Sequence, residues 1–442
     1  MSSGSDSMAQ NQLQTRRPMQ LAELGVRGSM RLIQTFAAVY PKALRWIYRW
    51  SPPSPAEMRE LFEKLGVTYI KFGQFIASSP SIFPKEYVDE FQKCLDQTPA
   101  IPFRKVKGII EEDLGKPLDR VYSYISESPL ASASIAQVHA ATLVTGEDVV
   151  VKVQKPGVRM TLTTDLNAVY LLTRLFEMIV PNLDRGAVAD IVEEMYQAML
   201  DECDFVKEAD NLTQFGRYLS STGNTSVLVP KPYLQASNER VLTMERFYGV
   251  ALTDMEALEA SGHDAAQSLF NAMNTWFASL TQCDFFHADL HSGNLMLLEN
   301  GCVGFIDFGM VGRIKPSVWE ATFALFMAVN QQDYQQMAKS MLAIGVTRKE
   351  VNVEELARDI EKLFRRLDSM EPEYLLGGGG KEPDGVTNLM TELGDIAKSY
   401  GIRFPRSFTM LLKQFLYFDR YMDLLAPGVN IFGDDRFDLY QE

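Results

Sequence analysis

The apolar positions in the first third of the chain follow helical spacing. After the proline-rich run 51–55, apolar side chains recur every three or four residues, at Leu61, Leu65, Tyr69, Phe72, Phe75 and Ile76. This stripe predicts a helix with one buried face. Residues 85–117 predict further short helices that end at Gly115. The proline-rich run predicts a stiff break after the N-terminal segment.

The spacing then changes to that of strands. Two runs rich in β-branched residues, Val138–Leu143 and Val149–Val153, flank a turn that contains Gly146, so they predict an antiparallel hairpin. Residues 158–200 return to helical spacing. The apolar run 241–244 predicts another strand that leads into a connecting loop, and the pattern beyond it is mostly helical. Together these elements predict an α+β fold, with a small sheet ahead of a helical C-terminal half.

A second predicted hairpin interrupts the helical half. The apolar runs 295–298 and 302–306 are joined by Glu299-Asn300-Gly301, and an Asn-Gly pair is a strong hairpin signal because both residues favour positive φ. Polar residues stand on both sides of this hairpin. The pattern H-x-D-x-x-x-x-N precedes it from His287 to Asn294, and Asp307-Phe308-Gly309 follows it.

These flanking residues are the groups that phosphoryl transfer requires. One carboxylate orients the nucleophile, while an amide and a second carboxylate hold the magnesium ions that neutralise the phosphates. Asp289, Asn294 and Asp307 supply these groups in the order and spacing that kinases use. We therefore predict binding of ATP with Mg²⁺, with His287 and Asp289 as catalytic-loop residues and with Asn294 and Asp307 as metal ligands.

A zinc cluster around His287 and His291 is the alternative interpretation of this segment. The chain has only two other histidines, and its four cysteines form no C-x-x-C pair. A closed zinc site would therefore lack ligands.

Lys152 lies in the second strand of the first predicted hairpin, between β-branched residues. An unpaired charge in a buried strand is costly, so this lysine needs a carboxylate partner. The acidic segment 201–211 offers Glu202, Asp204 and Glu208. In the absence of Lys152, this segment would be interpreted as a solvated acidic helix.

The nucleotide-binding surface is predicted on both sides of Lys152. A glycine-rich turn covers the phosphates in ordinary kinases, but here the small residues are alanine and serine, which lack the freedom of glycine at positive φ. Backbone groups after the strand 241–244 are expected to contact adenine. The predicted nucleotide-binding residues are Ala131, Ser132, Ala133, Ser134, Ile135, Ala136, Lys152, Met244, Glu245, Phe247 and Asn294.

Size and composition indicate the number of domains and the cellular compartment. The chain has 442 residues, of which 46% are hydrophobic, enough for two or three domains. No apolar stretch reaches the roughly 18 residues of a membrane span, and residues 1–15 lack an apolar secretory signal. Four scattered cysteines fit a reducing compartment. We therefore expect a bacterial cytoplasmic protein. An organellar transit peptide is the alternative, because Arg16 and Arg17 follow a start that contains Ser and Gln.

The net charge of −14 is unevenly distributed. In the segment 16–50, which we call the basic head, seven basic residues stand against one acidic residue, while the rest of the chain is strongly acidic. The acidic remainder argues against nucleic-acid binding. Arginines mixed with aromatic residues suit an anionic membrane interface, which predicts peripheral contact with the inner face of the membrane. The alternative is a helix that packs on the protein with its arginines solvated.

Together these motifs resemble the UbiB/AarF family of atypical kinases, also called coenzyme-Q8-type kinases. The resemblance covers roughly residues 61–312. The alanine-rich loop and the H-x-D-x-x-x-x-N pattern are similar to family motifs, with Leu290 and Ser292 where proline is common. Three further similarities are Lys71-Phe72-Gly73-Gln74 to the K-x-G-Q signature, Glu202-Cys203-Asp204 to the E-x-D motif, and Glu208 to the helix-C glutamate.

The resemblance implies a bilobal, protein-kinase-like fold in which Lys152 pairs with Glu208. It implies a small β-containing N-lobe, a mostly helical C-lobe and a helical N-terminal extension whose K-x-G-Q helix lies across the cleft. We expect a basic head and linker at 1–55, the helical extension at 56–120, the N-lobe at 121–249 with a helical insertion at 158–200, and the C-lobe at 250–442.

The resemblance also implies the class of activity. Its members are linked to ubiquinone and related isoprenoid lipids, and they hydrolyse ATP or phosphorylate a small or lipidic molecule. A quinone-biosynthesis protein complex is the implied partner. A regulatory pseudokinase is one alternative, disfavoured because Lys152, Asp289, Asn294 and Asp307 are all present. A Ser/Thr protein kinase is the other, disfavoured by the K-x-G-Q helix and by the short segment that separates Asp307 from the helix predicted at Pro316.

Overall fold

The computed structural model describes residues 26–49, 53–77, 85–93, 99–179, 187–347, 350–368 and 385–427. The chain folds as two compact units. The first unit comprises residues 1–70 and 157–197, and the second unit comprises residues 71–156 and 198–442. Residues 16–25 and 50 of the basic head lie outside the described residues.

Within the described residues, five α-helices precede the first strand, and helices and strands are interspersed after it. The helices are α1 Val26–Arg49, α2 Pro55–Leu65, α3 Val67–Ala77, α4 Lys85–Phe91, α5 Phe103–Leu114, α6 Val158–Ile179, α7 Ala187–Asp201, α8 Phe205–Ser221, α9 Met255–Ser261, α10 Ala265–Gln282, α11 Pro316–Gln331, α12 Tyr334–Ile344, α13 Val353–Asp368, α14 Gly385–Ser399 and α15 Arg406–Leu425. The strands are β1 Tyr122–Ile125, β2 Ala131–Ser132, β3 Ala136–Leu143, β4 Asp148–Gln154, β5 Val227–Leu228, β6 Val241–Glu245, β7 Gly249–Ala251, β8 Phe286–His287, β9 Leu295–Leu298, β10 Val303–Phe305 and β11 Val311–Gly312.

The apolar stripe that predicts one helix after residue 57 forms two. Ser54 begins α2 with a capping box, in which its hydroxyl accepts from Glu57 N–H and the Glu57 carboxylate accepts from Ser54 N–H. Gly66 ends α2 at a φ of +94°, a conformation that favours glycine. The prediction of a single helix is therefore wrong at Gly66, although the stripe itself is buried on both sides of the break.

In the first unit, Arg31 joins α1 to α6. Its guanidinium contacts both carboxylate oxygens of Asp165, at 2.9 and 2.8 Å, and also donates to the Leu65 carbonyl. The Asp165 side chain is 1% exposed and accepts a further hydrogen bond from the Thr68 hydroxyl at 2.7 Å. A buried carboxylate must be paired in this way. One arginine of the basic head therefore forms an ion pair with a buried carboxylate and is not available to a partner.

The second unit begins with a five-stranded antiparallel sheet in the order β1-β3-β4-β6, with β2 paired to β3. Val149, Val151 and Val153 of β4 are fully buried in the core cluster that includes Ile110 of α5. Because side chains alternate along a strand, Lys152 lies on the other face of the sheet.

The predicted hairpin at 295–306 is present as β9 and β10, with Leu295 opposite Phe305. Gly301 has a φ of +81°, but the φ of Asn300 is not positive. Among the described residues, Gln332 is the one residue other than glycine that has a positive φ. The expectation that both turn residues adopt positive φ is therefore wrong. The loop is longer than two residues, and such loops need positive φ only at the glycine that follows a type I turn.

The catalytic-loop segment lies between this hairpin and a two-stranded sheet of β8 and β11. Trp276 of α10 is fully buried beneath it and donates from its indole N–H to the His287 carbonyl at 2.9 Å. Phe415 and Phe418 of α15 surround the same indole. Among the described residues, no helix has the length together with the hydropathy needed to cross a bilayer.

Candidate active site

Lys152, Glu208 and Asp307 meet in the second unit. The Lys152 ammonium lies 2.9 Å from both carboxylate oxygens of Glu208 and 2.9 Å from an Asp307 oxygen. Strand β4 supplies the lysine and helix α8 supplies Glu208, which is 1% exposed, while Asp307 follows β10. Residues 56 positions apart thus form the ion pair that the family resemblance implies, with α6 and α7 inserted between them.

Burial and the three charges shape the protonation of this cluster. Burial alone would lower the pKa of Lys152, but the carboxylates of Asp307 and Glu208 hold it above its ordinary value. Burial raises the pKa of Glu208 to about 7, against the opposing effect of Lys152. For Asp307 the pKa lies well below its usual range, because Lys152 and the Gly309 N–H outweigh burial. The cluster thus offers an ionised Asp307 next to an ammonium group.

Asn294 and Asp307 lie at the same end of the β9–β10 hairpin. The Ile306 N–H donates to the Asn294 carbonyl at 3.2 Å, and the Asn294 side-chain amide donates to the Asp289 carbonyl at 2.8 Å. The Gly309 N–H fixes one Asp307 oxygen at 2.9 Å. An ionised carboxylate with an amide oxygen is a suitable donor set for Mg²⁺, which takes few protein ligands and completes its shell with phosphate and water. The residues present therefore fit the implied ion.

The Asp289 carboxylate faces Lys413 of α15, whose ammonium lies 2.9 Å from Oδ1. His291 Nε2 lies 3.6 Å from Oδ2. Burial would raise the pKa of Asp289, but Lys413 and His291 lower it overall. Asp289 is therefore an ionised carboxylate that can receive or orient a proton.

His287 is fully buried and contacts the ring of Phe308, with 4.6 Å between the two ring centroids. Its Nδ1 accepts from the Asp289 N–H at 3.1 Å, and burial lowers the pKa of His287 to about 4. In this conformation the imidazole is enclosed by protein and supports the backbone of the loop at Asp289.

The alanine-rich loop is a tight turn between β2 and β3, closed by the Ala133 N–H, which donates to the Ala136 carbonyl at 2.9 Å. None of its residues has a positive φ, which explains why alanine and serine replace glycine. Ser134, Ile135 and Ala136 are buried, whereas Ala131 is exposed and Ser132 and Ala133 are half-buried. In this conformation, the first three residues of the predicted set are accessible to a nucleotide and the last three are enclosed by protein.

The predicted adenine contacts follow β6. The Glu245 N–H donates to the Lys231 carbonyl at 2.9 Å and the Arg246 N–H donates to the Asp148 carbonyl at 3.3 Å. Two of the donors expected at the adenine are therefore used within the protein, because β6 is flanked by chain on both sides. Met244 is buried, and the Phe247 ring packs against Gly304, where an added Cβ would lie 2.9 Å from it.

Lys71 of α3 forms an ion pair with Glu202 at 2.7 Å, and its side chain is only 14% exposed. Gly73 is buried and Gln74 is half-buried on the same helix. The Glu202 carboxylate is near enough to Lys413 to raise the pKa of that ammonium. Glu202 thus links Lys71 electrostatically to the Lys413–Asp289 ion pair. Asp204 has a different role, because its carboxylate caps α8 by accepting from the Lys207 N–H at 3.0 Å.

Sequence reasoning missed the residues of α15 that reach the catalytic loop. Beside Lys413, the Gln414 side chain accepts from the Leu290 N–H and donates to the Ala288 carbonyl, both at 2.7 Å. The signal was a polar pair inside the apolar run Met410-Leu411-Leu412-Lys413-Gln414-Phe415. A lysine amid apolar residues needs a partner, and this holds for Lys413 as it does for Lys152.

Comparison with known proteins identifies the family. Residues 93–341, more than half of the chain, match the ABC1 atypical kinase-like domain. The chain belongs to the ABC1 atypical kinase-like family. Its fold is therefore the kinase-like α+β fold that the sequence predicts, and the resemblance to UbiB/AarF kinases is confirmed.

Relatives within the ABC1 family align over most of the chain. An uncharacterized chloroplastic aarF domain-containing protein kinase of Arabidopsis thaliana is 44% identical over 399 residues, covering 87% of this chain and 74% of its own length. A probable protein kinase UbiB of Azotobacter vinelandii is 33% identical over 308 residues, covering 67% of this chain and 57% of its own length.

A solved structure also has this fold. The Mycobacterium tuberculosis protein in a complex with erythromycin superposes with a TM-score of 0.51 at 20% identity, over 89% of this chain and 98% of that protein. At 20% identity, this similarity shows only that the two proteins share a fold.

Proposed function

We propose that this protein binds ATP with Mg²⁺ and acts as an atypical kinase or ATPase. The observation that carries the proposal is the assembly of Lys152 with Glu208 and Asp307, next to Asn294 and Asp289. These groups come from four separate segments of the chain. Kinase chemistry requires this set, and its positioning and electrostatic stabilisation provide most of the catalysis.

Each residue has a defined task in this proposal. Lys152, oriented by Glu208, binds the α- and β-phosphates. Asn294 and Asp307 hold Mg²⁺, which when bound neutralises phosphate charge. A hydroxyl oxygen of water or of an acceptor bonds to the γ-phosphorus while the bond to the bridging oxygen of ADP breaks. Asp289 receives the proton of that hydroxyl.

We further propose a small or lipidic acceptor, in isoprenoid-quinone or membrane-lipid metabolism, and not a protein. The Lys71–Glu202 ion pair supports this, because the Glu202 carboxylate acts on the ammonium of Lys413, the partner of Asp289, where a peptide hydroxyl would have to approach. The chain between Gly312 and Pro316 is three residues long, too short for a segment that would bind a peptide.

Membrane contact through the basic head is part of the proposal. Ile33, Leu44 and Tyr48 are 68%, 48% and 88% exposed, and their spacing along α1 puts them on one helix face. An exposed apolar stripe on a basic helix suits an anionic bilayer surface. Arg31, by contrast, is occupied by Asp165.

Substitution of Asp307 tests the nucleotide proposal. Asp307→Asn should abolish stabilisation by Mg-ATP in a thermal-shift assay, because the amide cannot replace the ionised ligand. The apo protein should melt close to the wild-type temperature, since Lys152 keeps Glu208 as its partner. Asp333→Asn, at an exposed helix cap, serves as the control and should bind normally. Full Mg-ATP stabilisation of the Asp307 variant would contradict the assignment.

A further inference from the structure

The catalytic loop has no basic side chain of its own other than a histidine. Residues 289–294 are Asp, Leu, His, Ser, Gly and Asn. Phosphoryl transfer places negative charge on the oxygens of the transferred group, and enzymes stabilise that charge with preorganised cations. Lys152 is engaged by Glu208 and Asp307, and Lys71 by Glu202. The cation beside Asp289 comes instead from α15, as Lys413.

Side chains of helix α15 form hydrogen bonds with the backbone on both sides of Asp289. The Gln414 side chain, next to Lys413 in the sequence, accepts from the Leu290 N–H and donates to the Ala288 carbonyl. Two turns further along, the Tyr421 hydroxyl donates to the Leu290 carbonyl at 2.9 Å. All three contacts are buried. Lys413 is therefore fixed relative to Asp289 by a rigid element, the arrangement that precise positioning requires.

The Lys413–Asp289 pair remains open to the site. The Lys413 side chain is 19% exposed and the Asp289 side chain is 23% exposed. The ammonium donates to one carboxylate oxygen of Asp289 and also hydrogen-bonds to the Tyr417 hydroxyl, so one of its three donors remains for a third partner.

The charges around Lys413 keep it protonated. Burial lowers the pKa of Lys413, but the Asp289 carboxylate outweighs it and Glu202 adds to the effect, so the pKa lies above its ordinary value. Asp289 has the opposite shift, to a lower pKa. Both partners are therefore charged when substrate arrives.

We propose that Lys413 binds the γ-phosphoryl group of the nucleotide beside Asp289 and stabilises its charge during transfer. This inference rests on the proposed function, because it assigns Lys413 a contact in the same reaction. It makes α15, far beyond the matched domain at residues 93–341, a part of the catalytic machinery.

The test compares full-length Lys413→Met with the wild type, measuring Mg-ATP and Mg-ADP affinity and steady-state ATP turnover. Methionine keeps the length of the side chain without its charge. Affinity for Mg-ADP, which lacks the γ-phosphate, should change less than about twofold, whereas the preference for ATP over ADP should fall about tenfold. Turnover should show a kcat at least about tenfold lower, and Lys413→Arg should recover part of it.

Arg420→Met provides the matched control, because Arg420 is an exposed basic residue on the same helix; its nucleotide affinities and kcat should equal those of the wild type. An unchanged ATP preference and kcat in Lys413→Met would overturn the inference, as would an equal loss of ATP and ADP binding, which indicates a structural role. A raised kcat would overturn it too, because Lys413 would then be a restraint on Asp289. If the wild type binds neither nucleotide, the proposed function itself fails.

Discussion

The cluster around Lys152 illustrates how single residues set both stability and protonation. Glu208 is buried beside an ammonium, and a buried carboxylate without its partner destabilises a fold far more than the intact pair stabilises it. The same cluster requires a small residue at Gly309, where an added Cβ would lie 3.1 Å from the Asp307 carboxylate. The ion pairs of this cluster therefore depend on close packing at Gly309 as well as on charge.

Lys152→Met should be destabilised in a pH-dependent way. Burial already raises the pKa of Glu208 to about 7 in the wild type, and removal of the ammonium raises it further. Below about pH 7 Glu208 is protonated in the folded state of both proteins, so its titration adds nothing to the stability difference there. Above about pH 7 only the variant must keep Glu208 protonated or bury its charge without a partner, so the loss of stability should grow by up to about 1.4 kcal/mol per pH unit. Urea unfolding of the variant and the wild type between pH 8 and pH 5 measures this.

The double variant Lys152→Met/Glu208→Gln is the control for that prediction. Without an ionisable group at position 208, its stability relative to the wild type should depend little on Glu208 titration and should exceed that of Lys152→Met at pH 8. A stability difference between Lys152→Met and wild type that stays constant across the pH range would contradict the prediction.

Gly312 closes the sheet that supports the catalytic loop. A Cβ at Gly312 would lie 2.3 Å from the Phe286 ring, which is fully buried. Gly312→Ala should therefore cost about 1–3 kcal/mol of unfolding free energy through overpacking. Gly108, inside α5 with nothing within 4 Å of an added Cβ, is the matched control, and Gly108→Ala should stabilise by about 0.5–1 kcal/mol. Denaturant titration of both variants checks the opposite signs.

At the scale of elements, α15 determines the conformation of the catalytic loop. The loop itself is irregular, so its backbone groups need partners from elsewhere. Gln414 and Tyr421 provide them at Ala288 and Leu290. Packing of Phe415 and Phe418 against Trp276 fixes the helix that carries these side chains.

Gln414→Leu should disturb the loop through this helix. The substitution leaves the Leu290 N–H and the Ala288 carbonyl buried without partners, at a cost of about 2–4 kcal/mol for the two groups. Urea unfolding should detect the loss, and hydrogen exchange of the Leu290 amide should accelerate. Gln267→Leu, on the exposed face of α10, should remain within about 0.5 kcal/mol of wild type. Equal stability of the two variants would show that α15 does not brace the loop.

At the scale of the whole molecule, charge is segregated along the chain. The basic head precedes a strongly acidic remainder, and the total is −14. A deletion of the head would also remove Arg31 and leave Asp165 buried without its partner. Point substitutions on the exposed stripe of α1 therefore separate membrane contact from folding better than truncation does.

The double variant Ile33→Ser/Tyr48→Ser should lose sedimentation with phosphatidylglycerol-containing liposomes while it retains Mg-ATP binding. Binding of the wild type should weaken as ionic strength rises, because exposed charges are screened within about 10 Å at 0.1 M salt. Tyr124→Ser, at a 61% exposed aromatic of β1, is the control and should sediment as the wild type does. If the double variant sediments fully, the stripe is not the membrane contact.

The sequence by itself determined most of the elements of this protein and which residues are candidates for its site. Apolar spacing predicts the two hairpins and the helices, because periodicity depends on local geometry. Motif spacing identifies Lys152, Asp289, Asn294 and Asp307, because phosphoryl transfer demands those groups in that order. That Lys152 needs a carboxylate partner was predictable, since a buried ammonium requires one, but Glu208 was singled out only by the family resemblance.

Tertiary structure alone decided which distant segments meet. Helix α1 and the insertion at 157–197 fold into one unit, held by Arg31 and Asp165, and no local pattern links these positions. Likewise Lys413, 124 residues from Asp289, reaches it only because Trp276 and the phenylalanines of α15 pack together. Burial depends on such long-range packing, which is why the sequence did not show that His287 is enclosed by protein.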